Sequence, residues 1–377
     1  MRLTIVFKEF FESEKAGGFV LVFVTLISLF VANSPLGVSY IRIWHFELGG
    51  HSIVHWINDG LMTIFFLLIG LELEREIYRG ELSNLKNALL PIFGAIGGMI
   101  IPALFYFSLN KGSETASGTG IPMATDIAFA IGVLSLLGSR VPSSLKVFLT
   151  AIAVIDDLGA IILIAFFYTT SFSFTNLFIS LAIFLVLIIL NRIKVRNLIV
   201  YLVPGIAMWY FLSNSGVHAS ITGVMLAFAI PFGDGKEKSP SFLLQHVLHK
   251  TVAFIILPIF ALANTCIILG GGWYMGLGHL SGLGIISGLA LGKPFGIWLF
   301  SYLAVTFGIC TLPIDLKWNH IIGAGMLGGI GFTMSMFITL LAFDSAEIIN
   351  TSKIAILVAS LISGIVGLVW LKMILKR

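Results

Sequence analysis

The sequence has few charged residues and almost no cysteines. Only 11% of its 377 residues are Asp, Glu, Lys or Arg, whereas soluble domains carry about 25%. This scarcity excludes an ordinary soluble protein, and two cysteines, Cys266 and Cys310, argue against a disulfide framework. Hydrophobic residues make up 58% of the chain, and the mean hydropathy is +1.05. The composition therefore indicates a membrane protein.

Long apolar runs recur along the whole chain. A hydrocarbon core about 30 Å thick needs about 20 helical residues per crossing, and no polar stretch is long enough for a separate soluble domain. We predict an all-α polytopic membrane protein, a single domain over residues 1–377 with twelve transmembrane helices. The predicted spans are 16–32, 57–73, 88–109, 122–138, 145–168, 174–191, 197–212, 217–231, 251–270, 283–307, 321–343 and 354–374.

The basic residues sort to one side of these spans. Eighteen of the 22 lysines and arginines fall at the termini or in the even-numbered loops, three fall in the odd-numbered loops, and Lys293 lies within a span. Basic loops stay in the cytoplasm. The pattern predicts that both termini are cytoplasmic. It also supports the count of twelve spans, because one span more or fewer would place basic loops on both sides of the membrane.

The first external loop contains a hairpin signal. Residues 42–56, RIWHFELGGHSIVHW, alternate apolar and polar side chains around Gly49-Gly50, which is typical of a two-residue β-turn. A hairpin outside the membrane has an open edge that can pair with another copy. We therefore expect a short external β-hairpin and a homodimer contact through it.

Four ionisable residues lie deep within predicted spans: Asp126, Asp156, Asp157 and Lys293. A charge at the bilayer centre costs at least a few kcal/mol, and such residues usually mark a functional pathway. The alternative is that they pair for structure alone. We favour function, because an ionisable residue within a membrane span indicates a functional site by default.

Asp156 and Asp157 cannot both face one partner squarely, because successive helical residues point about 100° apart. One of them can meet Lys293, the only cation within a span, while the other faces a solvated cavity. A partly desolvated carboxylate binds a proton or a cation near neutral pH, and the two ligands compete. That competition is the chemistry of an exchanger. The sequence does not say which aspartate pairs with Lys293.

Two spans are interrupted. The first break is at Pro122 in GTGIPMATDIAFAIG, and the second lies in GAGMLGGIGFTMS, residues 323–335. Broken spans in corresponding halves point to a transporter's binding site. Half-helix ends carry partial charges, which Asp126 and Lys293 would neutralise. Thr125 adds a hydroxyl, and hard cations prefer oxygen ligands. The glycines have a competing explanation, since Gly-xxx-Gly spacing also serves helix packing.

Several long motifs carry a family resemblance. They are WINDGLMTIFFLLIGLELERE (56–76), IPMATDIAFAIGVLSLLGSRVP (121–142), AVIDDLGAIILIAFFYT (153–169), SGVHASITGV (215–224), LGKPFGIWLF (291–300) and GGIGFTMSMFI (328–338). Together they resemble the NhaA family of sodium/proton antiporters over nearly the entire chain. That family is itself a standard example of inverted repeats with broken helices.

The resemblance implies a fold, a site and a partner. It implies inverted repeats at about 88–168 and 283–375, with two broken helices that cross near the midplane. It implies binding of Na⁺ or Li⁺ and H⁺ at Asp156 and Asp157 with Thr125 beside them, and charge compensation by Asp126 and Lys293. It also implies a homodimer through the external hairpin in a bacterial inner membrane. No cofactor, nucleic acid or enzymatic reaction is expected.

The resemblance further implies regulation by pH. It assigns that role to the residues Glu72, Arg75, Glu76, His246, His249 and His218. Histidine titrates nearest neutral pH, although a solvated loop with capping charges explains these residues equally simply. Two positions depart from the family pattern: Gln245 replaces an expected glutamate, and Glu74 replaces an expected basic residue. Both change the charge of the suspected sensor.

We therefore predict an electrogenic, pH-regulated exchanger of Na⁺ or Li⁺ for H⁺. A sodium-coupled symporter of a small organic solute is the closest alternative, but few polar residues are available for a roomy cavity. An intramembrane aspartyl protease needs carboxylates on facing helices, which adjacent Asp156 and Asp157 fit poorly, although Asp126 is available as a second member. A retinal-type pump would use Lys293 as a Schiff base, but twelve spans exceed what it needs.

Overall fold

A computed structural model describes residues 5–168, 172–233, 235 and 239–375. Within these ranges the chain is helical apart from one small hairpin. The elements are α1 (Ile5–Ala32), α2 (Gly37–His45), β1 (Glu47–Leu48), β2 (His51–Ser52), α3 (Ile53–Tyr78), α4 (Leu85–Asn110), a 3₁₀ helix (Ala116–Met123), α5 (Ile127–Ser135), α6 (Ser143–Phe167), α7 (Phe174–Arg192), α8 (Ile199–Ser213), α9 (Ile221–Ala229), α10 (Pro240–Asn264), α11 (Leu280–Thr306), α12 (Trp318–Gly328), α13 (Phe332–Ala342) and α14 (Ala346–Ile374).

Each of the twelve predicted ranges contains apolar helix. Nine described segments are long and apolar enough to cross a membrane alone, and the bent pair α12 and α13 makes a tenth. The chain is therefore a multi-pass membrane protein. The two remaining ranges hold α8, with 15 residues, and α9, with 9. Both are shorter than a full crossing needs, and the helix in 217–231 is shorter than predicted.

The orientation rule rests partly on residues outside the described part of the chain. Arg2, Lys236, Lys238, Lys376 and Arg377 lie there. The cytoplasmic assignment of both termini stays a prediction.

The hairpin is much shorter than predicted. Helix α2 ends at His45 and α3 begins at Ile53, so only two residues remain for each strand. Glu47 pairs with Ser52, and Leu48 pairs with His51. Gly49 and Gly50 have φ angles of +63° and +87°, as the tight turn requires. The prediction of the turn is correct, but its extent of 42–56 is wrong because helix takes both flanks.

The chain divides into two compact units. Unit 1 comprises residues 1–40, 84–160 and 264–377, and unit 2 comprises residues 41–83 and 161–263. In unit 1 the extensive contact between α4 and α11 depends on glycine. A Cβ atom at Gly97 would lie 2.1 Å from the carbonyl oxygen of Gly296, and one at Gly296 would meet Gly97 equally closely. Small residues thus let these two backbones touch.

Unit 2 is organised by the packing of α3 on α9 and of α7 on α8. Leu71 and Ala227 are among the buried residues of its core. A Cβ atom at Gly223 in α9 would lie 2.2 Å from the carbonyl oxygen of Thr63 in α3. The close approach of these helices explains why a glycine stands in the middle of an otherwise bulky apolar stretch.

Candidate functional site

The two interrupted spans meet inside unit 1. The first consists of the 3₁₀ helix, an extended stretch at Ala124 to Asp126, and α5. The second bends by 49° between α12 and α13. The backbone N–H of Asp126 donates to the carbonyl oxygen of Ile330 at 2.7 Å. A backbone N–H group exposed at the first break is therefore hydrogen-bonded to a carbonyl oxygen exposed at the second. Such pairing is needed because the membrane interior offers no water to these groups.

Asp126 lies between the N-termini of two half-helices. Its Oδ1 accepts a hydrogen bond from the backbone N–H of Phe129 at 3.0 Å in α5. Its Oδ2 accepts from the Thr333 backbone N–H at 3.1 Å and from the Thr333 hydroxyl at 2.5 Å in α13. One carboxylate thus caps two helices, where their dipoles favour negative charge.

Lys293 forms a buried ion pair with Asp156. Its Nζ lies 2.7 Å from Asp156 Oδ2, and both side chains are fully shielded from solvent. Lys293 also donates to the carbonyl oxygen of Met123, at the C-terminal end of the 3₁₀ helix. The cation thus lies at the negative end of one half-helix while it balances a carboxylate. Such an ion pair needs this additional satisfaction to persist in a dry interior.

Thr125 links this ion pair to the second broken span. Its hydroxyl lies 2.8 Å from Asp156 Oδ2 and 2.9 Å from the carbonyl oxygen of Gly328, at the end of α12. A hydroxyl has one proton and two lone pairs, so it donates to one of these acceptors at a time. The remaining lone pairs can face a cation.

Asp157 adds a second acid next to the pair. It is 2% exposed, and it lies close enough to Lys293 for their charges to interact. Asp156 Oδ1 accepts no hydrogen bond from any described residue. Two buried carboxylates, Asp156 and Asp157, therefore interact with the ammonium group of Lys293. Uptake of positive charge, as a proton or a metal cation, relieves this imbalance.

The oxygen atoms at the site suit a small hard cation. Carboxylate, hydroxyl and backbone carbonyl oxygens are the ligands that such cations prefer. Among the described residues no group of three or more His, Cys, Asp and Glu side chains is arranged to hold a metal ion. A cation at this site would therefore be bound by oxygen atoms of Asp156, Asp157 and Thr125 instead of by such a cluster.

The residues predicted to regulate by pH all lie in unit 2. His249 Nδ1 is 3.4 Å from Glu72 Oε1, and Arg75 contacts Glu76 at 3.6 Å. His246 is exposed and stacks on Phe242, with ring centroids 6.4 Å apart. The structure therefore joins His249 to Glu72 but gives His246 a separate environment.

His218 belongs to a different cluster. It interacts electrostatically with His55 and Asp59, which lie in the first two turns of α3, and its Nδ1 lies 3.3 Å from the Ser220 hydroxyl. Asp59 and Glu72 are thirteen residues apart on α3, or about 20 Å along the helix axis. His218 and Glu72 thus lie near opposite ends of one helix, which the sequence motif did not reveal.

Two features of the structure were not predicted from the sequence: the contact of Thr333 with Asp126 in unit 1, and the burial of Glu74 in unit 2. Thr333, which donates two hydrogen bonds to Asp126, is the second residue of α13 and stands in the quoted motif GFTMS. Glu74 is 4% exposed, and it lines a cavity of about 1080 Å³ together with Arg79, Arg192, Lys194 and Arg196. Glu74, which stands where the family pattern has a basic residue, is therefore a buried acid beside a basic surface.

The fold and site define a polytopic membrane transporter with two broken helices around buried charges. The comparisons with known proteins specify the family. The Na⁺/H⁺ antiporter 1 family matches residues 8–371. The chain belongs to this family.

Relatives align over almost their full length. "Na(+)/H(+) antiporter NhaA 1" of Flavobacterium johnsoniae is 67% identical over 375 residues, covering 100% of this chain and 98% of that relative. "Na(+)/H(+) antiporter NhaA" of Flavobacterium psychrophilum is 62% identical, with 100% and 98% coverage. The solved structure of the sodium proton antiporter MjNhaP1 from Methanocaldococcus jannaschii has a TM-score of 0.54, with 16% identity and 98% and 100% coverage. The last similarity concerns the fold alone.

Proposed function

We propose that this protein exchanges Na⁺ or Li⁺ for H⁺ across a bacterial inner membrane. The observation that carries the proposal is the buried Lys293–Asp156 pair beside Asp157, at the crossing of two broken helices. Relatives at 60–67% identity are named Na⁺/H⁺ antiporters, which agrees with this chemistry. The antiporter names do not support a solute symporter.

Proton and cation binding exclude each other at this site. When Asp156 and Asp157 carry protons, Lys293 loses its counter-charge. When a cation binds, both carboxylates are ionised and supply oxygens, with Thr125 completing the set. The same atoms thus bind either ligand, and rocking of the broken helices would expose them to each side in turn.

Charge movement follows from the number of acids. Two carboxylates allow more than one proton to move for each Na⁺, so a net charge crosses the membrane in each cycle. One elementary charge moved through 100 mV corresponds to about 2.3 kcal/mol. We infer that the membrane potential drives extrusion of Na⁺ and that the exchange is electrogenic.

The remaining parts of the proposal concern architecture and regulation. We infer inverted repeats over about 88–168 and 283–375, both termini in the cytoplasm, and a homodimer through the external hairpin. Glu72, Arg75, Glu76, His246, His249 and His218 are proposed to adjust activity to pH. Transport of this kind needs neither a cofactor nor an enzymatic step.

Proton flux in proteoliposomes tests the proposed function. Purified protein is reconstituted with a pH-sensitive dye, and Na⁺, Li⁺ or K⁺ is added across about pH 6 to 9, the range in which histidines titrate. We expect proton movement with Na⁺ and Li⁺ and none with K⁺. Absence of flux at every pH, with protein confirmed in the vesicles, would overturn the assignment.

A further inference from the structure

Thr150 carries a buried hydroxyl with no hydrogen-bond partner. Its side chain is 8% exposed, and Oγ1 contacts no donor or acceptor among the described residues. Buried polar atoms are almost always hydrogen-bonded, so each exception calls for an explanation. Nothing in the ion site described above involves this residue.

The hydroxyl of Thr150 also avoids the partner that helical threonines normally use. Thr25 and Thr339 donate to the carbonyl oxygen four residues earlier, at 2.6 and 2.8 Å. Such back-bonding satisfies a hydroxyl within its own helix. The corresponding acceptor for Thr150 is the carbonyl of Lys146, and no such hydrogen bond forms. The hydroxyl is therefore not satisfied within its own helix.

Thr150 shares a helix face with Asp157. Both lie in α6, seven residues apart, so their directions differ by about 20° and their Cα atoms by about 10 Å along the axis. The residues between them on this face are Ala153 and Val154, which are both buried. Thr150 lies on the N-terminal side of Asp157, toward Lys146, which the distribution of basic residues assigns to the cytoplasm.

We propose that the Thr150 hydroxyl is an oxygen ligand for the partly dehydrated Na⁺ or Li⁺ ion on its path between the cytoplasmic face and Asp157. This inference rests on the proposed function. The hydroxyl replaces one water of the ion about two helical turns before the carboxylates. The ion in return satisfies a buried polar atom that has no hydrogen-bond partner among the described residues.

The test compares the apparent KM for Na⁺ on the cytoplasmic side. Thr150→Val keeps the shape of the side chain and removes the hydroxyl. In everted membrane vesicles, which expose the cytoplasmic face, we expect the apparent KM for Na⁺ and Li⁺ to rise about three- to tenfold with the maximal rate unchanged. The melting temperature of the purified variant should not fall, because no hydrogen bond of the fold is lost.

Two controls isolate the hydroxyl. Thr150→Ser retains it and should keep the wild-type KM. Thr222→Val removes another fully buried hydroxyl without a partner, in α9 of unit 2, and should leave the KM unchanged. If Thr150→Val does not assemble, Thr150→Ala replaces it in the same assay.

The outcomes are distinct. A wild-type KM in the variants without the Thr150 hydroxyl overturns this inference and leaves the antiporter intact, as does an equal rise in Thr150→Ser. An unchanged KM together with a lowered melting temperature assigns Thr150 a structural role. Absence of Na⁺-dependent flux in the wild type overturns the proposed function itself.

Discussion

Lys293 Nζ lies 2.7 Å from Asp156 Oδ2, with both side chains fully buried. The ammonium group also donates to the Met123 carbonyl, and Thr125 reaches the same carboxylate oxygen. Lys293 therefore joins the helix that bears the aspartates to the first broken span. Neutralising either partner changes the stability of the fold and the chemistry of transport together.

Lys293→Ala should destabilise the protein markedly. Removing one member of a buried pair leaves the other charge uncompensated, which typically costs about 3–5 kcal/mol. We expect a lower melting temperature in detergent and a shifted pH profile of transport. In the double variant Lys293→Ala with Asp156→Asn the loss should be smaller than the two single losses combined, because the stranded charge is gone. Strictly additive losses would show that the two residues do not act as a pair.

Asp157→Asn should abolish Na⁺-dependent proton movement while leaving the fold intact. The amide neither ionises nor exchanges a proton for a cation. Proton flux in proteoliposomes measures the effect. Asp344→Asn, at an exposed carboxylate beyond α13, is the matched control and should transport normally. Full exchange by Asp157→Asn would rule out Asp157 as an essential acid.

The sequence predicted the elements of this site better than their connections. Four intramembrane charges and two interrupted spans are visible in it, because ionisable residues and Pro122 stand out against apolar helix. It does not distinguish Asp156 from Asp157 as the partner of Lys293, since that depends on the rotation of α6 in the folded protein. The hydrogen bonds between Asp126 and Thr333 join residues 207 positions apart, which no local pattern specifies.

The fold shows the same division. Apolar length located the spans, but α9 and the hairpin are shorter than predicted because helix boundaries depend on tertiary packing and on flanking helix propensity. Gly49 and Gly50 predicted the turn correctly, whereas the residues on either side belong to α2 and α3 and not to longer strands. His218 and Glu72 are far apart because they lie near opposite ends of α3. The motifs that contain these residues did not predict this distance.

Thr333→Val should weaken the crossing of the broken helices. The Thr333 hydroxyl donates to Asp126 Oδ2 at 2.5 Å, and a hydrogen bond to a charged group contributes about 1.5–3 kcal/mol. We expect a lower melting temperature. Thr339→Val, which removes a hydroxyl bonded within its own helix to Ser335, should lower it less. Equal decreases in melting temperature would show that the hydrogen bond to Asp126 contributes no more to stability than the bond within α13.

Gly50→Val should reduce dimer formation. Gly50 has φ +87°, which a β-branched residue adopts at a cost of about 1–2 kcal/mol, and an isolated two-stranded hairpin is only marginally stable. We expect a smaller dimer fraction by light scattering in detergent, with transport retained. Gly112→Val places the same strain, at φ +79°, in another loop and should leave the dimer unchanged. An unaltered dimer in Gly50→Val would remove the hairpin from the proposed interface.

His249→Gln should shift the pH dependence of transport. His249 Nδ1 lies 3.4 Å from Glu72 Oε1, and protonation of His249 adds an ionic attraction to this contact. Acidification therefore strengthens the contact and alkalinisation weakens it. If the contact restrains transport at acidic pH, its removal moves the midpoint toward lower pH by about half a unit, the equivalent of a weak ion pair. His246→Gln is the comparison, and we expect it to shift the midpoint less, because exposed His246 stacks on Phe242 rather than on a carboxylate. Proton flux measured as a function of pH separates the two variants, and identical profiles for His249→Gln and the wild type would exclude this pair from the pH response.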